Sequence, residues 1–363
     1  MTQLHALPRR AIKASIALAA LLTASGCGAE PDAPAAPPPP EAVRALEAVR
    51  PTGRFAVGLR EVSDPSAPAL WLYYPAQGPS APRPSASTNW PAAYKDALAR
   101  RFGASAAAAL LSAKASAGWD AAPAKGPFPL LVFAPGAGMG ARDYRLLLEE
   151  IASHGYVIAA VHPLGSPPAR EARYSDAADE LVDAATRVRA LAKTRPGPDL
   201  IDASRVAFMG HSIGGAAAVL ALARDRNALA AINLDGDFAG ASAGQAPRKP
   251  ILYVVGRTDG ERQASRDRRG AVWKTVTAGN TQAVALRIDT LRHFDFADAA
   301  LLPPGLISDQ RRRNRFGAIG GPRAHEVVSK LVVGFLDQSI SAGPNTLDAA
   351  LSETPEAGPA PAF

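Results

Sequence analysis

The stretch RVAFMGHSIGGAAAVLALARD, residues 205–225, places a serine between two glycines where an apolar strand pattern changes to a helix pattern. Ser212 stands at the centre of G-x-S-x-G, with Gly210 before it and Gly214 after it. A strand that turns directly into a helix exposes the residue at the turn, and the glycines let neighbouring backbones approach closely. The pattern therefore predicts that Ser212 is a nucleophile at the carboxyl edge of a sheet.

Strand and helix patterns alternate along the chain on both sides of this turn. The apolar runs FPLLVFAP (128–135), YVIAAVHP (156–163) and PILYVVG (250–256) are typical of strands buried on both faces. The earlier runs RFAVGLREV (54–62) and ALWLYYP (69–75) predict a hairpin at one sheet edge. Since helix patterns separate the later strands, the sequence predicts an α/β fold with a mostly parallel central sheet flanked by helices.

A serine hydroxyl needs a base to accept its proton, and the chain contains six histidines. In folds with this turn, the base follows both the nucleophile and the acid in chain order. His293, in LRHFDFAD after the last predicted strand, fits that order and is the predicted base. His211 is interpreted as a packing residue. His162, at a strand end, is interpreted as a capping residue that could also line the pocket.

Two aspartates are the main candidates for the carboxylate that orients His293. Asp235 ends the run AAINLDG, and Asp259 follows the next strand in YVVGRTDG. Both loops are expected at the carboxyl edge of the sheet, so the spacing excludes neither. We favour Asp235, because the apolar run before it suits a carboxylate at a buried strand end. Asp237 is a third candidate.

The negative oxygen of a tetrahedral intermediate needs backbone N–H donors. Ile213, directly after the serine at a helix N-terminus, is one predicted donor. The second is Ala137, in the glycine-rich loop APGAGMG (134–140) that follows a buried strand. The sequence shows neither a Cys/His cluster nor a carboxylate cage, so no metal is predicted, and serine chemistry of this kind requires no cofactor.

These motifs resemble those of α/β-hydrolases of the platelet-activating factor acetylhydrolase type, with dienelactone hydrolases and PET-degrading cutinases as more distant relatives. The resemblance covers roughly residues 52–340. It rests on PTGRFAVGLREV with LWLYYPA, FPLLVFAPGAG with IASHGYVIAAV, GHSIGG, and LDG with HFDFAD. It implies an α/β-hydrolase fold and the hydrolysis of short-acyl or oxidised-acyl esters, whether small molecules or lipids, without a metal.

The resemblance also bears on two site positions. The family usually has His-Gly in the oxyanion loop, whereas this chain has Pro135 and Gly136, so a backbone donor is retained and a histidine side chain is not. Acetylhydrolase-type members place the acid in a Leu-Asp motif like the one at Asp235. Cutinase relatives place it after the later strand, where Asp259 lies.

Two other functions remain open at this stage. The first is a secreted polyester hydrolase or lipase with an open cleft. The second is a surface lipoprotein that uses the fold as a binding module without catalysis. The Ala-rich helices predicted within residues 91–118 could cover the sheet edge near the pocket and so restrict the size of the acyl group.

The N-terminus is typical of an exported protein. The basic segment LPRRAIK and the apolar run ASIALAALL precede Cys27, the only cysteine, in TASGC. This resembles a bacterial lipoprotein signal over residues 1–27, with Cys27 as the lipidated residue, although position −3 is Ala24 rather than the usual Leu; ordinary signal-peptidase cleavage nearby is the alternative. Gly28 is not an aspartate, which by resemblance favours the outer membrane.

The remaining boundaries follow from composition and charge. Residues 28–51 are rich in Pro and Ala and predict a linker, 52–341 the catalytic domain, and 342–363 a disordered tail. The formal net charge is +7, but the arginine runs at 266–269 and 311–313 contain no interleaved aromatics, so no nucleic-acid partner is predicted. The expected partners are an ester substrate and, through Cys27, a membrane.

Overall fold

Apolar strands buried on both faces form the centre of the molecule, and helices connect them. The computed structural model of the chain describes residues 39–64, 67–78, 91–161, 172–193, 200–238, 244, 248–257, 263–341, 343 and 345–360. Within these ranges the strands are β1 Ala56–Asp64, β2 Ala67–Ala76, β3 Gly118–Trp119, β4 Phe128–Ala134, β5 Val157–Val161, β6 Ile201–His211, β7 Ala230–Leu234, β8 Ile251–Gly256, β9 Ala283–Ile288 and β10 Gly358–Pro359. The α-helices there are α1 Pro40–Ala48, α2 Ala92–Phe102, α3 Ala104–Ser112, α4 Arg145–Ser153, α5 Ala172–Leu191, α6 Ile213–Arg224, α7 Gln263–Val276, α8 Asp309–Arg315, α9 Gly321–Leu336 and α10 Leu347–Glu353.

In the described part of the chain the strands form one sheet in the order β10-β9-β8-β7-β6-β4-β5-β2-β1-β3. The strands from β5 to β9 in this order pair in parallel. The hairpin of β1 and β2 joins β5 in antiparallel pairing, and β10 is antiparallel to β9. The predicted mostly parallel sheet flanked by helices is therefore confirmed. The carboxyl ends of the central strands meet at one edge, where the loops after β4, β6, β7 and β9 come together.

Apolar side chains on the two faces of the sheet pack against different helices. Helices α4 and α9 cover one face, and α5 and α6 cover the other. A third apolar cluster joins α1, α2 and α3 to the segment around the short 3-10 helix Asp298–Leu301. This cluster places the Ala-rich helices beside the loop that carries His293.

The predicted linker is wrong from Pro40 onward. Helix α1 begins there, with a proline in its first turn, where the missing N–H removes no intrahelical bond. Ala42 and Leu46 lie four residues apart on one face of the helix and are both buried in the third apolar cluster. Because this small apolar face is covered, residues 40–48 are an ordered part of the domain.

The predicted disordered tail is also wrong where the structure describes it. Helix α10 begins after Thr346, whose side-chain oxygen accepts the N–H of Ala349 at 3.1 Å. Leu347 and Ala350 are buried against α9, and β10 pairs with β9. These contacts order residues 345–360, because a capped helix with two buried side chains and a strand pairing all hold the same short segment.

Residues 1–38, which include Cys27 and the predicted signal, lie outside the described residues. Each helix in the described part of the chain is too short or too polar to span a lipid bilayer.

Candidate active site

Ser212 occupies a sharp turn between β6, which ends at His211, and α6, which begins at Ile213. Its backbone has φ 57° and ψ −123°, a conformation that residues with a side chain rarely adopt. A Cβ on Gly210 would overlap the backbone of Gly214, so only glycine fits at position 210. The turn therefore holds the Ser212 side chain clear of its own strand and helix, as the sequence pattern predicts.

The structure brings Ser212, His293 and Asp235 together from three separate loops. The Ser212 hydroxyl lies 3.1 Å from His293 Nε2, within range to donate a hydrogen bond to it. On the other side of the ring, His293 Nδ1 donates to Asp235 Oδ2 at 2.7 Å. The His293 side chain is 41% exposed and that of Asp235 only 10%. The hydroxyl and the imidazole are thus reachable from solvent, whereas the carboxylate is shielded.

Asp235 is held firmly at the end of β7. Its φ is 53°, again in the left-handed region, and its N–H donates to Val254 O at 2.8 Å. The second carboxylate oxygen, Oδ1, accepts the N–H of Gly256 at 2.9 Å. Both oxygens are therefore used, one by the end of β8 and one by His293, which fixes the direction in which the carboxylate faces.

The other candidate residues are placed differently. Asp237 pairs with Arg269 at 2.6 Å, and its side chain is 65% exposed, so it does not contact His293. Asp259 and His162 lie outside the described residues.

His211 is fully buried directly beneath His293. Their ring centroids are 4.5 Å apart, and the His211 ring also stacks on Phe296. Because a carbonyl only accepts, His211 Nε2–H donates to the backbone oxygen of His293 at 2.8 Å. Burial, followed by the neighbouring His293, lowers the pKa of His211 well below its ordinary value, so this imidazole stays neutral. It packs, as predicted, and also supports the loop that carries His293.

Tyr144 connects His211 to the loop after β4. A neutral His211 that donates from Nε2 accepts at Nδ1, and the Tyr144 hydroxyl lies 2.6 Å from that atom. The same hydroxyl oxygen accepts the N–H of Gly136 at 3.1 Å. A continuous chain of hydrogen bonds thus runs from the glycine-rich loop through Tyr144 and His211 to the backbone of His293.

The predicted oxyanion donors lie on the two sides of Ser212. Ile213 is the first residue of α6, so its N–H has no partner within the helix. In the loop after β4, Gly136 N–H is taken by Tyr144, whereas Ala137 N–H has no acceptor among the described residues. Arg101 of α2 donates to Ala137 O and Gly138 O, both at 3.0 Å, and so fixes the peptide planes on either side. Ile213 and Ala137 remain the predicted donors.

The loop that carries His293 has a second support in Asp295. One carboxylate oxygen, Oδ2, accepts the N–H of Arg292 at 2.7 Å and that of Gly317 at 2.6 Å. Burial raises the pKa of Asp295 to about 6. Asp295 therefore joins the loop to the segment before α9.

Tyr144, Arg101 and Asp295 were not found from the sequence. Asp295 lies inside LRHFDFAD, so its place next to His293 is a signal that could have found it. Tyr144 and Arg101 carry no such signal, because each acts on a residue far away along the chain.

Among the described residues, no group of three or more His, Cys, Asp or Glu side chains is placed to hold a metal ion.

Comparisons with known proteins give two family matches and a similar solved structure. The family model of chlorophyllase matches residues 120–254, and that of platelet-activating factor acetylhydrolase, isoform II, matches residues 197–350. A ferulic acid esterase from Streptomyces cinnamoneus has a TM-score of 0.66 and 28% sequence identity, covering 86% of this chain and 98% of that chain. No curated protein matches. The second family match includes the loops of Ser212, Asp235 and His293.

The chain of hydrogen bonds through Tyr144 leads to a prediction. Tyr144→Phe leaves the buried Gly136 N–H and His211 Nδ1 without their partner, which should lower the free energy of unfolding by about 1–3 kcal/mol. It should also slow the labelling of Ser212 by a fluorophosphonate about tenfold or more, because the groups around the serine lose their fixed placement. Labelling rates and denaturant unfolding measure the two effects.

Tyr73→Phe is the matched control. The Tyr73 hydroxyl is also buried but has no hydrogen-bond partner in the described part of the chain. Its removal should leave the labelling rate unchanged. Equal labelling rates for Tyr144→Phe and the parent would contradict the positioning role.

Proposed function

We propose that this chain, which has an α/β-hydrolase fold and is a carboxylic ester hydrolase, cleaves esters through Ser212, His293 and Asp235. The observation that carries the proposal is the line of contacts from Asp235 Oδ2 through both nitrogens of His293 to Ser212 Oγ. These three side chains have the relative placement that a nucleophile, a general base and an orienting acid require.

The proposed reaction uses only groups of this chain and water. His293 Nε2 takes the hydroxyl proton as Ser212 Oγ bonds to the ester carbonyl carbon, and the carbonyl oxygen becomes negative. The N–H groups of Ile213 and Ala137 bind that oxygen. His293 then gives its proton to the leaving alcohol, which leaves an acyl group on Ser212. Water, deprotonated by His293, attacks the acyl group and releases the acid and the free serine.

Asp235 acts on the imidazole and not on the substrate. It accepts the Nδ1 proton and thereby keeps Nε2 free to act as the base. It also stabilises the imidazolium that forms after each proton transfer. Its own fixation by Gly256 N–H supports this role, because a carboxylate that cannot rotate holds the ring in one orientation.

The proposed substrates are esters with a short or oxidised acyl group. The acetylhydrolase family match supports this class, and the similar ferulic acid esterase supports ester cleavage more broadly. A polyester hydrolase or lipase with an open cleft is the second candidate, and the half-exposed His293 favours it.

A series of 4-nitrophenyl esters of increasing acyl length separates these candidates. We expect acetyl and butyryl esters to have a higher kcat/KM than the palmitoyl ester, with no turnover by Ser212→Ala. Faster cleavage of the palmitoyl ester would favour the lipase candidate instead.

A non-catalytic binding module is the remaining alternative. Holding Ser212 in the left-handed region costs on the order of 1–3 kcal/mol, and a module that only binds ligands has no use for that strain. The neighbouring imidazole and carboxylate would likewise have no function. Covalent labelling of Ser212 by a fluorophosphonate favours the hydrolase, and its absence in the folded protein favours the binding module.

The acid assignment gives a prediction of large magnitude. Asp235→Asn should favour the wrong tautomer of His293 and lower kcat about 10⁴-fold. This corresponds to about 5 kcal/mol of lost transition-state stabilisation. The measurement is kcat/KM on 4-nitrophenyl butyrate, together with the unfolding midpoint.

Asp237→Asn is the matched control, since Asp237 lies two residues away and faces solvent beside Arg269. We expect less than a tenfold effect for it. Asp259→Asn tests the alternative acid. If that variant loses activity while Asp235→Asn is nearly normal, the acid is Asp259 and not Asp235.

We further propose that the mature protein is exported and lipid-anchored through Cys27 to the outer membrane. The support is the basic segment, the apolar run and the sole cysteine that follows them. A single cysteine cannot form an internal disulfide, and two or more acyl chains on it would give stable membrane binding.

Changing Cys27 to Ser tests the anchor. The parent is expected in the membrane fraction. The Cys27→Ser variant should be absent from that fraction, because no lipid can be attached to it. Ser212→Ala serves as the control and should stay with the membrane. A Cys27→Ser protein that fractionates with the membrane as the parent does would refute the anchor.

A further inference from the structure

Two arginines contact the aromatic ring that follows the proposed base in sequence. The ring of Phe294 packs edge-to-face against the His293 ring, with centroids 5.3 Å apart. The guanidinium carbon of Arg101 lies 5.7 Å from the Phe294 ring centroid, and that of Arg315 lies 5.1 Å from it. One phenyl ring therefore contacts both guanidinium groups and the imidazole of His293.

A third arginine belongs to the same group. Arg311 precedes Arg315 by one turn of α8, and its Nη1 lies next to Gly103, at the end of the helix that carries Arg101. Burial, followed by the positive charges of Arg101 and Arg311, lowers the pKa of Arg315. The Arg315 guanidinium thus lies close enough to those of Arg101 and Arg311 to be repelled by both.

These charges are not balanced by acids. Among the described residues, neither Arg101, Arg311 nor Arg315 forms an ion pair. Burial raises the pKa of the Asp143 carboxyl, and the charge of Arg101 acts in the opposite direction. The two oxygens of this carboxylate, however, accept hydrogen bonds from the Tyr94 hydroxyl and the Gly140 N–H. Other arginines of the protein do have acidic partners: Arg189 with Asp225, Arg224 with Asp179, Arg269 with Asp237 and Arg323 with Glu356.

We propose that Arg101, Arg311 and Arg315 form a subsite for an anionic group on the substrate, so that the preferred ester carries a carboxylate or a phosphate near the scissile bond. This inference rests on the proposed function and names its substrate class. Guanidinium groups bind both anions through paired N–H donors. An anion in the subsite would relieve the repulsion among the three arginines and would lie beside Phe294.

The three arginines keep exposure or donors for such a group. Arg311 is exposed, and Arg101 and Arg315 are half-buried. Arg101 uses one N–H on each terminal nitrogen for Ala137 O and Gly138 O, which leaves others of its five N–H donors for a ligand. Arg101 therefore joins the anion subsite to the loop that carries a proposed oxyanion donor.

The test compares charged and neutral esters of the same shape. In the carboxylate arm, the 4-nitrophenyl monoester of glutaric acid is compared with the 4-nitrophenyl ester of methyl glutarate. In the phosphate arm, dibutyryl glycerol phosphate is compared with its neutral dimethyl phosphotriester. We expect the parent to prefer the anionic member of at least one pair by about tenfold in kcat/KM, and the arm that responds identifies the anion. The preference should weaken as ionic strength rises.

Arg311→Gln and Arg315→Gln are the diagnostic variants. Each should lower kcat/KM for the preferred anionic ester by about two- to fivefold, as an exposed ion pair contributes, and leave the neutral ester unchanged. Arg313→Gln is the matched control, an exposed arginine on the same helix outside the group, and should change neither. Arg101 is left intact because it also holds the glycine-rich loop.

The outcomes separate this inference from the proposed function. If the parent cleaves the neutral esters and Ser212→Ala does not, the proposed function stands. In that case, the anion subsite is overturned if neither arm shows a preference for the anionic ester. It is also overturned if Arg311→Gln and Arg315→Gln keep that preference as fully as Arg313→Gln does. If the parent cleaves no ester of either kind, the proposed function itself fails.

Discussion

The close approach of backbones around Ser212 is the constraint on which the rest of the structure depends. A Cβ on Gly210 would overlap Gly214, and one on Gly214 would overlap the carbonyl of Ala134 in β4. Strand β6, helix α6 and the end of β4 can therefore meet only with glycine at both positions. Their contact fixes the angle at which α6 leaves the sheet, and it maintains the unfavourable φ of Ser212 because no other backbone path fits between the neighbours.

Buried polar side chains then hold the loops around this turn in register. Tyr144 bonds to the glycine-rich loop and to His211, and His211 bonds to the backbone of His293. Asp295 joins the same loop to Gly317. Each of these groups is buried, so leaving one of its bonds unmade would be costly, and each therefore favours a single arrangement of the loops. These bonds hold the loop of His293 in one placement relative to Ser212.

Local patterns predicted the strands, the turn at Ser212 and the choice of His293, because periodicity and chain order are properties of the sequence itself. Asp235 could be favoured but not fixed, since two loops end at the same sheet edge. Tyr144 could not be found, because its partner His211 is distant in the chain and only folding brings them together. The sequence predicted a linker where helix α1 lies, because this segment is rich in Pro and Ala. Its helical structure depends instead on the burial of Ala42 and Leu46 against helices that are distant in the chain.

The outermost strands of the sheet have a consequence for self-association. In the described part of the chain, the sheet ends on one side at β3, Gly118–Trp119, and on the other at β10, Gly358–Pro359. An exposed strand edge presents a row of unpaired N–H and C=O groups that another chain can extend, and short edges and proline both prevent this. Each of these outermost strands is two residues long, and Pro359 has no N–H to offer. Each of the two outermost strands therefore offers another chain only a short template for edge-to-edge pairing.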